Sequence, residues 1–541
     1  MKKMSFVIML CFCTGILQAT SLVQEQLART ADIKAQIDYK VHTPSHPLVV
    51  VNPYGLSPLS ALVAFKTKEP ATVTVTIFGK DAHTTIVHSF STRTKKHLLP
   101  IYGLYPGDNQ LQLTVSGKTQ TQSYPLTITT EKILPLKTQA RILQADPQAM
   151  KPGFTFVTPG VIVNPGSFAF AFDKNGDIRW VLTHPIMGKM SPWHFSKEGT
   201  ILVGSDEFDP KYTVAYHSLY EIDLLGRVHH TIKAEDDIQH DIVKLANGNY
   251  LALVNATGKS TIADTVVELT PKNKVVDRFD IDAILGVEHE RIPRTVEHYL
   301  YKDNYKRAKM DAMHLNSLNY DPEDDSIIMT ARFFNFLLKV DRKTKQIKWI
   351  LANPLNAWIS PALQDKLLTP TTPNFDYIYG AHAAKPQGNH HFTVLDNGLY
   401  RDIFDKGANG PIDSYTPSNS WSRGVEFDID ETNKTVSVYW QYKRGPELYN
   451  HYLGDVDKFD EGHYLVNFGD VMADKDETIS SVESSLNPSK QPAKSFAKII
   501  EVKDGKVVFE AETDGLLNNT IYRVERQLPY LNTEEYKWSR K

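Results

Sequence analysis

Residues 311–349, DAMHLNSLNYDPEDDSIIMTARFFNFLLKVDRKTKQIKW, decide how the rest of the chain is read. His314 and Asn316 open the stretch, and the polar turn Asp321-Pro322-Glu323-Asp324-Asp325 follows. The β-rich run 326–330 delivers Arg332, a second run covers 336–340, and after a turn at 341–344 a last run closes on Trp349. Short alternating runs between Asp-, Asn-, Gly- or Lys-rich turns are hairpin signals. Residues two apart on a strand share a face, so His314 and Asn316 are expected to point together, with Arg332 one hairpin away. Three donors to anionic oxygen on adjoining strands predict an anion site that lacks a nucleophile of its own.

The unit recurs. Strand–turn–strand patterns stand at 168–180, 219–232, 266–279, 337–349, 424–440 and 497–510, and further strands start at Gly199, Gly248, Asp325, His390 and Gly462. Six outer hairpins, each with an inner strand, predict a six-bladed β-propeller over 150–541; two β-sandwiches or a solenoid would carry the same alternation. Upstream, TVTVTI at 72–77 alternates strictly between Pro70 and Gly79, and LQLTV at 111–115 and LTIT at 126–129 repeat the habit. These predict a small β-sandwich over 46–140. The composition of QEQLARTADIKAQI at 24–37 predicts a helical segment within 20–45. The expected fold class is therefore all-β, a six-bladed β-propeller preceded by a small N-terminal β-sandwich domain. The stretches 281–309, 353–374 and 407–420 read as insertions that would gather on the propeller faces.

The bulk numbers narrow the function. With 541 residues the chain exceeds one ordinary domain, and a formal net charge of -3 offers no basic field for nucleic acid. Lys2 and Lys3 followed by the apolar run 4–17 read as a signal peptide over 1–19, too short for the roughly 20 residues of a spanning helix. An exported, periplasmic protein without membrane insertion after cleavage is expected. The two cysteines, Cys11 and Cys13, lie inside that leader, so the mature chain is expected to have no disulfide, thiolate metal site or cysteine nucleophile.

Of the 19 histidines, His217, His230 and His463 lie in or beside hairpins and read as structural, and His390-His391 opens a strand. Three others share a position at or just before an inner strand: His240 in QHDIVKL, His314 in DAMHLNS and His382 in GAHAA. Inner strands of a propeller line its channel, so equivalent positions in successive blades converge there.

The order QHDIVKLANGNYL, DAMHLNS, DSIIMTAR, GAHAA, VLDNG and the tail Tyr522-Arg523-Val524-Glu525-Arg526 resembles the bacterial arylsulfate sulfotransferases. The likeness extends to PLSALVAF at 58–65 and PIYGLYPG at 100–107. It implies transfer of a sulfuryl group from a phenolic sulfate ester to another phenol, without PAPS or any other cofactor, and a homodimer. Carried over, the sulfated histidine falls on His382, and the sulfate-holding residues on His240, His314, Asn316 and Arg332. The disulfide of the family pattern has no counterpart in the mature chain.

The residue types suit that chemistry. Charge in a transferring sulfuryl group spreads over three oxygens, so positioning and electrostatic stabilisation dominate. Arg332 offers a fixed charged fork, Asn316 a neutral donor, and a histidine nucleophile splits one transfer into two ping-pong steps. His240 or His314 would give the leaving phenoxide its proton, and Tyr102 and Tyr105 are candidates for selecting the acceptor. Thr257-Gly258-Lys259-Ser260 looks like the end of a phosphate loop, but Leu253 stands where its first glycine belongs. A non-enzymatic propeller that binds anionic or aromatic ligands is the competing reading. A zinc site of His240, His314 and His382 is a third, disfavoured by Arg332 beside it, so no metal is expected.

Overall fold

The computed structural model describes residues 21–131, 140–159, 169–183, 194–195, 199–204, 215–259, 261–262, 264–287, 311–356, 358–399, 401, 421–445, 448–473, 494–513, 520–530 and 534–538. The expected leader at 1–19, most of the expected insertion at 281–309 and the stretch at 407–420 lie outside the described residues.

All six expected outer hairpins are antiparallel pairs. They join Ala169–Phe172 to Ile178–Leu182, Ala215–Asp223 to Val228–Lys244, and Thr265–Leu269 to Val275–Asp280. The others join Phe336–Asp341 to Ile347–Leu351, Arg423–Asp430 to Thr435–Lys443, and Lys494–Lys503 to Lys506–Thr513. A shared device closes four of them. Asp223, Asp341 and Asp430 each end a strand and Asp173 directly follows one, and the Oδ1 of each accepts two backbone N–H groups from the following turn. A short carboxylate satisfies turn donors that no strand reaches, which is why Asp recurs there.

Among the described residues the strands after residue 139 form five sheets. The seven-stranded sheet, from His194–Phe195 to Val275–Asp280, is continuous because the 17-residue strand Val228–Lys244 pairs with Ala215–Asp223 on one side and Tyr250–Asn255 on the other. Residues 315–351 form a four-stranded sheet and 382–443 most of a five-stranded one. Two sheets are completed by sequence-remote strands. Ala140–Ala145 pairs with Lys506–Thr513, and Ile521–Gln527 pairs with Phe154–Pro159.

The N-terminal region is one continuous five-stranded ladder centred on Ala61–Ile77. The pairing of that strand shifts between Lys66 and Ala71, around Pro70, so its two halves meet different partners: Leu48–Val51 with the first, Asp108–Ser116 with the second. The expected helix spans Leu22–Tyr39, capped by Ser21, and buries Leu22, Gln26, Thr30 and Ile33 along one stripe. The Gln26 carboxamide donates to Gly226 O at 2.8 Å and accepts from Val228 N at 2.8 Å, pinning the helix to a distant hairpin.

One apolar cluster joins Val73, Phe90 and Leu113 to Phe156, Trp180 and Tyr220, so the N-terminal ladder shares its core with the sheets that follow. The chain's last described segment straps the two. Tyr530 Oη accepts from Tyr102 N at 2.9 Å, Glu535 takes His97 Nδ1 at 2.8 Å and Leu98 N at 3.2 Å, and Tyr536 N donates to Leu98 O at 2.7 Å. Glu535→Ala is expected to lower stability by roughly 1–3 kcal/mol, because it strands the buried His97, whereas Glu534→Ala, which loses only exposed bonds, leaves the melting midpoint nearly unchanged. Differential scanning fluorimetry of the full chain distinguishes the two. No helix among the described residues is long and apolar enough to cross a membrane.

Candidate active site

The first strands of five strand sets touch in order, and the last returns to the first. Leu318 N donates to Asp241 at 2.9 Å, Asn316 Nδ2 to Ala381 O at 2.9 Å, and Ala384 N to Ser317 Oγ at 3.2 Å. Lys385 Nζ then reaches Asp455 at 2.8 Å, Val524 N reaches the same carboxylate at 3.1 Å, and Tyr522 Oη closes the circuit on His240 O at 2.8 Å. These innermost strands carry bulges. Register shifts fall between Ile238 and Ile242, Leu315 and Ser317, His382 and Lys385, and Ile521 and Arg523. Left-handed backbone accompanies them at His240 (φ 49), His314 (φ 57) and Ala383 (φ 55). Such conformations cost energy and persist where surrounding structure imposes them, often at functional sites.

The three inner-strand histidines are brought together. The rings of His240 and His314 meet edge to face at 4.8 Å, and His382 stands edge to face with Tyr522 at 5.1 Å. Each imidazole is held at Nδ1, and each by a different chemical group. His382 Nδ1 donates to Gly454 O at 2.7 Å, His314 Nδ1 donates to Asp311 Oδ2 at 2.6 Å, and His240 Nδ1 lies 2.6 Å from Gln239 Oε1. In each ring Nε2 is the nitrogen left for a substrate.

The partners set the protonic character. A backbone carbonyl accepts only, so neutral His382 carries its proton on Nδ1 and a lone pair on Nε2. That buried Nε2 makes no hydrogen bond among the described residues. Burial, and after it the Arg523 guanidinium, push the His382 pKa down to about 3. Burial and the neighbouring His314 and His382 hold His240 well below the ordinary histidine value. Of the three, His314 is the one held by a carboxylate, and the buried Asp311 orients its ring. The carbonyl at 454 is itself fixed: Gly454 has φ +100, and a Cβ there would lie 2.2 Å from Asn467 O, so only glycine fits.

Arg332 and Asn316 are also here, by a route that alternation did not foresee. Asn316 falls inside the bulge between Leu315 and Ser317, and His314 precedes the strand in left-handed backbone, so the two-residue rule does not govern them. Asn316 instead turns toward Ala381, next to His382, and accepts Thr330 Oγ1 at 2.7 Å, which leaves one amide hydrogen for a ligand. Arg332 N donates to His314 O at 2.9 Å, its Nη1 donates to His451 O at 3.2 Å, and its guanidinium lies 5.7 Å over the Tyr452 ring.

Charged groups continue beyond the histidines. Arg523 grips Asp241 through Nη1 at 3.1 Å and Nη2 at 2.5 Å, and both are buried. Lys385 bridges Asp455 and Asp457, whose charges keep its ammonium high against the opposing effect of burial. Burial and the neighbouring Asp457 push Glu525 up to about 8.

Other sequence candidates are otherwise engaged. His463 pairs with Glu501 at 2.7 Å, His217 with Asp237 at 2.5 Å and His391 with Glu426 at 2.6 Å. Tyr102 is buried against Tyr530, and Tyr105 Oη accepts Arg179 at 2.9 Å, so both lie in the seam between the N-terminal ladder and the following sheet. Lys259, in the Thr-Gly-Lys-Ser stretch, is tied to Asp282 at 2.7 Å and Asp264 at 3.1 Å. No three His, Cys, Asp or Glu side chains among the described residues are arranged to hold a metal. Sequence reasoning gave no role to Asp311, Gln239, Gly454, Asp241 or Arg523. The three-residue spacing of Asp311 and His314 and the adjacency of Gln239 and His240 were available signals; the others arise from remote contacts.

Comparison with known families places these residues in context. The arylsulfotransferase (ASST) family model matches residues 139–523, and the arylsulfotransferase Ig-like domain model matches 48–131. The arylsulfate sulfotransferase AssT of Escherichia coli O6:H1 (strain CFT073) is 26% identical over 517 residues, covering 78% of this chain and 84% of its own. The arylsulfate sulfotransferase AssT of Lelliottia amnigena is 26% identical over 578 residues, covering 88% and 91%. Among solved structures, a Lactobacillus plantarum protein aligns at 10% identity over 69% of this chain and 98% of its own, with a TM-score of 0.37, too low to bear on the argument.

Proposed function

Because the chain belongs to the arylsulfotransferase family and is an arylsulfate sulfotransferase, we propose that it works by a ping-pong mechanism through a sulfohistidine at His382. The observation that carries this reading is the His382 ring itself: buried, neutral, its Nδ1–H committed to Gly454 O and its Nε2 lone pair uncommitted.

In the first half-reaction Nε2 of His382 attacks the sulfur of an aryl sulfate. An N–S bond forms, the aryl O–S bond breaks, and the phenoxide leaves with a proton from Nε2 of protonated His314. Arg332, Asn316 and His240 hold the three sulfuryl oxygens, where negative charge is spread. In the second half the acceptor phenol gives its proton to His314 and attacks the sulfur, breaking the N–S bond and restoring His382. Asp311 suits His314 to this cycle, since a carboxylate stabilises the imidazolium that each half-reaction forms or consumes. His240, with no carboxylate on its ring, is the poorer proton donor. Histidine supplies the covalent step, so neither PAPS nor a metal is required. The ion pairs of Lys259 leave the Thr-Gly-Lys-Ser stretch unsuited to a nucleotide phosphate.

The sheets suit six propeller blades, with the seven-stranded sheet counting as two. Periplasmic export through the leader, a homodimer, and domain limits at 46–140 and 150–541 complete the reading.

The test mixes protein with 4-nitrophenyl sulfate and phenol, without metal or nucleotide. Nitrophenol release that depends on phenol, survives chelators and gives parallel double-reciprocal lines supports the proposal; no phenol-dependent release rejects it. Asp311→Asn is expected to slow transfer from unsubstituted phenyl sulfate by roughly 100-fold. Transfer from 4-nitrophenyl sulfate, whose leaving group needs little protonation, should change much less. Equal loss with both donors would contradict the role given to His314.

A further inference from the structure

Gln239 is buried beside His240 inside the bulge, and its two polar ends are unequal. Oε1 lies 2.6 Å from His240 Nδ1, while Nε2 is buried without a hydrogen-bond partner among the described residues. A half-turn of the carboxamide exchanges oxygen and nitrogen with no other change, so the same short contact is available to the amine. The two orientations differ in what they leave stranded. A buried amine without an acceptor is rarer in proteins than a carbonyl oxygen short of a donor.

The orientations also differ in what they do to His240. With the amide oxygen facing it, the ring protonates at Nδ1 and offers Nε2 as a lone pair, which repels a sulfuryl oxygen. With the amine facing it, Nδ1 accepts, and the neutral ring carries its proton on Nε2 as a donor. His240 cannot readily obtain both protons, because it is buried among His314, His382 and Arg523, and Asp241 is already held by Arg523.

We propose that Gln239 is a positioning residue: its amine donates to His240 Nδ1 and so makes Nε2–H of His240 a hydrogen-bond donor to the sulfuryl group. This rests on the transfer reading above for the identity of the acceptor atom, but the tautomer is a property of the protein alone. The three site histidines are then set differently by their Nδ1 partners. The carbonyl makes His382 a nucleophile, the carboxylate makes His314 a proton carrier, and the amide makes His240 a neutral donor.

The first test is nitrogen NMR of the full-length protein labelled with ¹⁵N-histidine, with the His240 signals assigned by their loss in His240→Asn. The Nε2–H tautomer is expected; an Nδ1–H tautomer overturns the proposal whether or not the protein transfers sulfuryl groups. The second test is kinetic. Gln239→Met removes the amine at similar size and is expected to lower kcat roughly 10- to 100-fold with little change in the donor KM. Gln239→Glu cannot donate, but its carboxylate favours a protonated His240, which restores Nε2–H. Its activity should therefore exceed that of Gln239→Met at low pH and fall as pH rises through the pKa of the new pair. Equal, pH-independent losses in the two variants would reduce Gln239 to packing and overturn the proposal. If wild-type protein shows no transfer at all, the mechanism fails while the NMR result still decides the tautomer.

Discussion

His382→Ala is expected to lower phenol-dependent transfer by at least roughly 10⁴-fold while leaving the fold intact. Among the described residues the ring makes one hydrogen bond, to Gly454 O, and an edge contact with Tyr522, so its removal leaves a small cavity and one unpaired carbonyl rather than a stranded charge. Catalysis loses far more. Arg332, Asn316 and His240 would still hold a sulfate ester, so donor binding should weaken only modestly and the loss should fall on kcat. Steady-state kinetics with 4-nitrophenyl sulfate reads that split. A residual rate within tenfold of wild type would mean that the sulfuryl group passes directly from donor to acceptor.

The second large effect is expected at Arg523. Arg523→Leu leaves the carboxylate of Asp241 buried, still accepting from the backbone of Ile242 and Leu318 but without its guanidinium counter-charge. Stranding a buried charge in this way costs roughly 3–5 kcal/mol. Arg523→Leu combined with Asp241→Leu removes both charges and should recover much of that loss, as buried pairs replaced by apolar residues commonly do. The double variant then isolates the electrostatic role. Burial depresses the His382 pKa most and Arg523 comes next, an effect larger than the opposing one of Asp241. Without the pair, His382 binds a proton more readily, so the acid limb of kcat/KM moves to higher pH. An unchanged acid limb in a folded double variant would remove Arg523 from the account. Denaturation and pH–rate profiles measure the two parts.

The same burial predicts acid sensitivity. His382 and His240 have folded pKa values below the unfolded value near 6.5, so between these limits the unfolded chain binds protons that the native state refuses. Their contribution to stability is present above about pH 6.5 and declines as pH falls, with the His382 part exhausted near pH 3. Denaturation midpoints measured over that range should fall monotonically.

The outer hairpins were legible because period-two alternation and turn-forming Asp are local signals. Asp173, Asp223, Asp341 and Asp430 announce their turns within a few residues. The meeting of His240, His314 and His382 followed from their shared place in the repeat. What alternation missed was the bulges, since a register shift exists only relative to a partner strand. Asn316 therefore reached the site by turning toward Ala381, not by sharing a pleat with His314. The residues that set protonation were harder still. Gly454 lies 72 positions from the ring it holds, and Arg523 lies 282 from Asp241. Asp311, three residues from His314, was within reach of a sequence argument that looked beyond alternate positions.

The central claim is that His382 becomes covalently sulfated. Protein incubated with 4-nitrophenyl sulfate alone, without acceptor, and then mass-analysed directly should carry one added SO₃ on the peptide containing His382. The group should be labile to acid, discharged by phenol, and absent from His382→Ala. An adduct that persists in His382→Ala, or none in a protein that still transfers to phenol, would contradict the account.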